Sequence, residues 1–143
     1  MRLSIKPEQL SGEVQKTLEK YWYNLKPAVD EAMEMAASQT VDYLHQGGPY
    51  TERTGKYTKS WTYKKEKTYK SASIFLENTY IIYNQKPNYR LTHLLEHGHV
   101  IRSKSGKTVG AAGAFVHISP AEDFAAEAVT TMVEQRVRAV TIG

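Results

Sequence analysis

The sequence predicts an α+β fold: a long N-terminal helix kinked near Pro27, a small antiparallel β-sheet, a short central helix, and a C-terminal helix packed on the sheet. Three patterns predict it. Apolar residues keep helical spacing from 7 to 45. Between 57 and 83, apolar and polar residues alternate and β-favouring types are enriched. A Ser-Pro start at Ser119 then opens a second helical stripe.

The first helix is expected over 7–45, as one rod or two nearly collinear ones. Leu10, Val14, Leu18, Trp22, Leu25, Val29, Met33, Ala36, Val41 and Leu44 carry the repeat. At 1.5 Å per residue it would span roughly 55–60 Å. Pro27 removes a backbone donor and is expected to kink or split the rod near Asn24–Lys26. Gly47-Gly48-Pro49 ends it.

Residues 57–83 read as a hairpin or meander. Trp61 and Tyr63 alternate with polar neighbours, and Lys64–Lys67 reads as a charged turn. Ser71–Leu76 sets Ala72, Ile74 and Leu76 on one face, and Ile81, Ile82 and Tyr83 continue the extended composition. Leu91, Leu94 and Leu95 give one apolar face to a helix over 89–97. Gly98 stands where a left-handed C-terminal cap belongs. Residues 103–113, rich in Gly, Ala and Ser, read as a flexible loop, and Phe115–Ile118 as a short strand. Ser119 is the expected N-cap of the last helix, with Pro120 at its first position and Glu122 closing a capping box. Phe124, Ala125, Ala128, Val129, Met132, Val133 and Val137 form its buried stripe.

At 143 residues the chain suits one domain with a single core. It has no cysteine, which excludes disulfides and thiolate metal sites and fits folding in a reducing cytosol. No apolar run reaches the length of a membrane span and the N-terminus has no signal-like core, so neither membrane insertion nor standard secretion is expected. The net charge of +4 is unevenly spread: residues 51–107 hold twelve Lys/Arg against four Asp/Glu, and both flanks are mildly acidic. Such asymmetry suits polyanion binding or a self-assembling ring whose subunits meet through opposite faces.

Candidate chemistry is sparse. His93 and His97 lie one helical turn apart, with Glu96 and His99 nearby, a spacing that can hold a metal from one helix face. The protease form of that motif places Glu directly after the first His; here Leu94 stands there, and a third ligand would have to be His99 or His117. Partly exposed helix-face histidines are the preferred account, and no metal or cofactor is expected. Ser105-Gly-Lys-Thr108 imitates the end of a phosphate-binding loop, but Ile101 occupies the place of the first glycine. No serine sits in a nucleophile elbow. Arg53–Lys70 carries seven basic residues interleaved with Tyr57, Trp61, Tyr63 and Tyr69. That segment can be a half-buried hairpin with lysines outside, or a surface that neutralises phosphates and stacks on bases.

Three segments together carry a resemblance. They are Arg53-Thr-Gly-Lys-Tyr-Thr-Lys-Ser-Trp61, then Leu94-Leu-Glu-His-Gly-His-Val100, then Val116-His-Ile-Ser-Pro-Ala-Glu122. In this order and spacing the chain resembles the neck, or tail-completion, family of long-tailed siphophages, small virion proteins often described as minor tail components. The resemblance spans roughly residues 10–135, so 1–143 is taken as one neck domain. Its motif residues here are Arg53, Thr54, Gly55, Trp61, Leu95, Glu96, Gly98, His117, Pro120 and Ala121. Some members carry Pro-Phe before the final Pro-Ala; here Ala114 and Phe115 precede a longer approach.

The resemblance implies an α+β fold, no enzyme activity, and a place in the virion after synthesis in the bacterial cytoplasm. The implied partners are other phage neck and tail proteins and further copies in a ring around the DNA path. Lys64, Lys65, Lys104 and Lys107 are candidate partner contacts, including non-specific contact with DNA. A tail terminator, a head-closure connector, and a DNA-binding module using 51–70 are the alternatives. Glu96 is expected to meet a basic side chain, within the subunit or across a contact, because an acid near a helix C-terminus otherwise opposes the dipole.

Overall fold

The computed structural model describes residues 12–68 and 77–142. The positions before 12, Leu10 among them, lie outside the described residues. So do Tyr69, Lys70 and the strand expected over Ser71–Leu76, and so do the side chains of Val14 and Leu18.

The α+β architecture holds. Helix α1 (Gly12–His45) is followed by a single turn of helix, α2 (Lys56–Lys59), and the hairpin of β1 (Trp61–Thr68) and β2 (Glu77–Asn84). A 3-10 turn at Asn88–Arg90 leads into α3 (Leu91–His97). A second hairpin, β3 (His99–Arg102) and β4 (Thr108–Ala112), precedes α4 (Ile118–Ile142). Among the described residues the strands form two separate two-stranded antiparallel sheets. Among the described residues no helix is long and apolar enough to cross a membrane.

Helix α1 is the spine. Its 34 residues make a rod of about 51 Å. Ala32, Ala36, Ala37 and Thr40 are buried along it, and their small size lets two partners approach closely. Thr40 donates its hydroxyl to the Ala36 carbonyl at 2.8 Å, so its burial leaves no unmet donor. On one side α4 runs antiparallel: Tyr43 stacks on Phe124 with ring centroids 4.7 Å apart, and Arg136 reaches Glu31 at 3.0 Å. At equal rise α4 ends level with about Leu25, so the first turns of α1 run past it. Tyr21 and Tyr23 are exposed there. The adjacent side holds the first hairpin, where Asp30 accepts from Lys65 at 2.7 Å and from the Tyr80 hydroxyl at 2.8 Å. At the other end His45 donates its Nε2–H to the Trp61 carbonyl at 2.8 Å.

Pairing of Trp61 with Asn84, Tyr63 with Ile82 and Lys65 with Tyr80 sets these six residues on the face towards α1. The core closes around Leu44, Tyr57, Trp61 and Ala121, with Tyr43, Tyr50, Ile82, Leu95 and Ile118 packed against it. Helix α4 therefore meets the Trp61 end of the sheet through its first turn.

Several local expectations are corrected. Of the two forms expected for the first segment, α1 is one helix through Pro27, not two; Tyr23 and Pro27 are both exposed, so water can satisfy the carbonyl that the missing N–H leaves unpaired. Tyr57 stands on α2, not on a strand. Lys64–Lys67 is strand, not turn, because its charges alternate: Lys65 faces Asp30, while Lys64 points outward to Glu66 at 3.0 Å and over the Tyr83 ring. Residues 103–113 contain β4. Phe115–His117 is irregular and α4 already begins at Ile118, so Ser119 lies inside the helix and is not its N-cap.

Candidate functional site

The three segments that carry the resemblance converge in space. Trp61 and Tyr57 come from the first, Leu95, Glu96 and Gly98 from the second, and His117 and Ala121 from the third. Their meeting point is the buried start of α4.

Glu96 organises it. Its carboxylate is buried, and it accepts the backbone N–H groups of His117 at 2.8 Å, Ile118 at 2.9 Å and Ser119 at 3.1 Å. A helix start leaves such donors without intrahelical partners, and its dipole favours an anion there. The cap of α4 therefore comes from another helix, 21 to 23 residues earlier in the chain. The expected basic neighbour is also present, within the subunit: His117 Nδ1 lies 3.1 Å from the same carboxylate. Burial pushes the Glu96 carboxyl up, but the three N–H donors and His117 outweigh it and hold the group below its ordinary value.

His117 extends the junction. Nδ1 is 2.7 Å from the Phe115 carbonyl, an acceptor only, so Nδ1 carries a proton. In the neutral ring Nε2 then accepts from the Tyr57 hydroxyl, at 2.7 Å. Tyr50, Tyr57 and Trp61 surround the imidazole edge-on. Burial pushes the Tyr57 phenol up to about 12. Asn84 holds the α2 backbone by donating Nδ2–H to the Tyr57 carbonyl at 2.9 Å. Both Glu96 oxygens, both His117 nitrogens and the Tyr57 hydroxyl are thus engaged within the chain.

A prediction follows for Tyr57. Phenylalanine at this position keeps the ring but leaves His117 Nε2 unpaired, and Tyr57→Phe is expected to destabilise by about 1–2 kcal/mol in urea unfolding. A phenol whose folded value is raised stabilises fully below its ordinary value, and that contribution is lost as pH rises through the folded one. Wild-type stability is expected to decline between pH 10 and about 12, and less steeply in the variant. Identical alkaline limbs for the two proteins would contradict this.

Gly98 joins Glu96 to the second hairpin. Its φ is 74° and ψ 173°, so it is not the left-handed cap expected; it is an extended turn of positive φ that suits glycine alone. A Cβ there would lie 2.6 Å from the Ala112 carbonyl oxygen. Gly55, with φ 70°, precedes α2. Thr54 accepts the Lys56 N–H at 3.4 Å, a long bond at an exposed turn. Arg53 and Pro120 are exposed.

The remaining candidates lie elsewhere. His93 and His97 are exposed and stacked, with ring centroids 5.9 Å apart, and His99 is exposed beyond Gly98. His117 is drawn into the buried junction instead. Among the described residues no group of three His, Asp or Glu side chains is placed to hold a metal. Lys65 is tied to Asp30 and Lys64 to Glu66, whereas Lys104 and Lys107 are exposed in the β3–β4 turn. Tyr57 and Trp61 are core residues, at 3% and 6% exposure, which closes them to stacking on bases. A groove of about 570 Å³ between β2 and α3 is lined by Trp61, Ile82, Tyr83, Tyr89 and His93.

The sequence pointed to Glu96 and His117 but not to their mutual contact, and it missed Tyr50, His45 and Asn84 as members of the junction. No local pattern marks those three. Comparison with protein-family models, curated proteins and solved structures returns no match.

Proposed function

We propose that the chain is a structural virion protein of a tailed phage or prophage, made in the bacterial cytoplasm, that completes the tail and helps join it to the head. It acts as part of a ring around the DNA path, through shape and docking, with no enzyme activity and no cofactor. The observation that carries the reading is the convergence of the three resembling segments on one buried junction. Residues that recur because they build one scaffold are expected to meet in its core, and Trp61, Glu96 and His117 do so. The absence of an unengaged base or nucleophile among Tyr57, Glu96 and His117 supports the same reading, because their polar atoms are occupied by one another and by the backbone.

The reading is tested in a phage or inducible prophage that carries the gene. A stop codon early in it is expected to leave filled heads and tails unjoined in lysates viewed by electron microscopy. Adding the purified chain to such a lysate is expected to restore infectious particles. A normal yield of infectious particles from the stop mutant would overturn the proposal.

A further inference from the structure

The β3–β4 hairpin is built largely on itself. No other element among the described residues packs extensively on it, and Val100, Ile101 and Val109 are exposed at 53%, 44% and 65%. A lone two-stranded hairpin is at best marginal in water, and apolar side chains clustered on one mark a surface that something covers. From His99 to Ala112 the hairpin bears Arg102, Lys104 and Lys107 and no acid. Among the described residues none of the three forms an ion pair within the chain.

A matching surface exists on the outer face of α4. Asp123, Glu127 and Glu134 are all exposed there, with Glu122 beside them and the small residues Ala126 and Thr130 between. Among the described residues these acids too have no ion pair. Glu127 and Glu134 lie too far along α4 to serve its N-terminal dipole. Among the described residues the outer face of the first sheet offers no such run of unpaired acids, since its Glu66 is already paired with Lys64.

We propose that the β3–β4 hairpin is a docking arm that lies along the outer face of α4 in a second copy of this chain. Val100 and Val109, which share one face of the hairpin with Arg102, seat against Ala126 and Thr130, and Arg102, Lys104 and Lys107 meet Asp123, Glu127 and Glu134. This deepens the ring reading and rests on it. Arm and receiving face are different surfaces, so the contact is heterologous, and repetition through a closing rotation makes a ring.

The test uses the full chain in sedimentation velocity over a concentration series. One variant reverses the arm (Arg102→Glu, Lys104→Glu, Lys107→Glu) and another the rail (Asp123→Lys, Glu127→Lys, Glu134→Lys). Each alone is expected to weaken self-association roughly tenfold or more. An equimolar mixture is expected to recover it, since reversed arm fits reversed rail and native arm fits native rail. The lack of cysteine permits a second readout. Under mild oxidation, Lys104→Cys mixed with Ala126→Cys is expected to form disulfide dimers faster than Lys104→Cys mixed with Lys64→Cys.

Association unchanged in both folded reversal variants would overturn the proposal. So would a mixture that fails to recover, or equal trapping at Ala126 and Lys64. A chain that joins heads to tails while association ignores both reversals would remove the arm and keep the neck reading. Arm-dependent association in a chain that proves dispensable for joining would do the opposite.

Discussion

Glu96→Ala is expected to lower the free energy of unfolding by about 3–5 kcal/mol, because a buried acceptor is removed from three backbone donors at once. For a domain whose whole stability is on the order of 5–15 kcal/mol, that is a large share. Glu96→Gln keeps the volume and one acceptor oxygen but loses the charge, and is expected to fall between alanine and wild type. Urea midpoints for the three proteins measure the order. The pH dependence separates a cap from simple packing. A carboxyl held below its ordinary value contributes fully above that value and loses the contribution as pH falls through the lowered one. Wild type is therefore expected to keep this contribution down to its ordinary value of 4.5 and lose it only at lower pH, a loss the alanine variant lacks. An alanine variant within 1 kcal/mol of wild type, or with the same acid limb, would show that α4 does not depend on this carboxylate.

Gly98→Ala is expected to cost about 3 kcal/mol or more. Two penalties combine: a backbone region that only glycine populates readily costs on the order of 1–3 kcal/mol, and the added methyl meets the Ala112 carbonyl oxygen at 2.6 Å, backbone that cannot rotate away. Relief requires the β3–β4 hairpin to shift relative to α3. The variant is thus expected to lose amide protection first in His99–Ala112, which hydrogen exchange read by NMR detects. Uniform loss across all elements, or wild-type stability, would contradict the account.

The long elements were legible because each rests on repetition. Leu25, Val41 and Leu44 recur on the helical period, and Phe124 begins a second stripe. Trp61 and Tyr63 alternate with polar residues and lie on the inner sheet face as the alternation implies. Failures came where identity and position disagreed. Lys64–Lys67 looks like a turn when charge alone is weighed; only Asp30 on α1 explains an inward lysine at 65. Residues 108–112 lack the bulky residues that mark a strand, so β4 was hidden by its glycine and alanines. Ser119-Pro120 has every local feature of a helix start, yet a carboxylate from α3 takes the capping role and the helix begins at Ile118, two residues before Pro120. Glu96 looked unfavourable for the same reason: near the end of its own helix it opposes a dipole, and the donors it serves lie more than twenty residues away. Non-local hydrogen bonds leave no mark on the periodicity of either segment.

The adjacency of Glu96 and Gly98 has a mechanical consequence. One grips the origin of α4, and the other is the pivot at the root of the second hairpin. A pull on that hairpin is therefore carried straight into the axis of α4, bypassing the irregular stretch at 113–117, and from there along the flank of α1. Tension applied at one corner of the molecule spreads through its two longest rods before any loop begins to pay out.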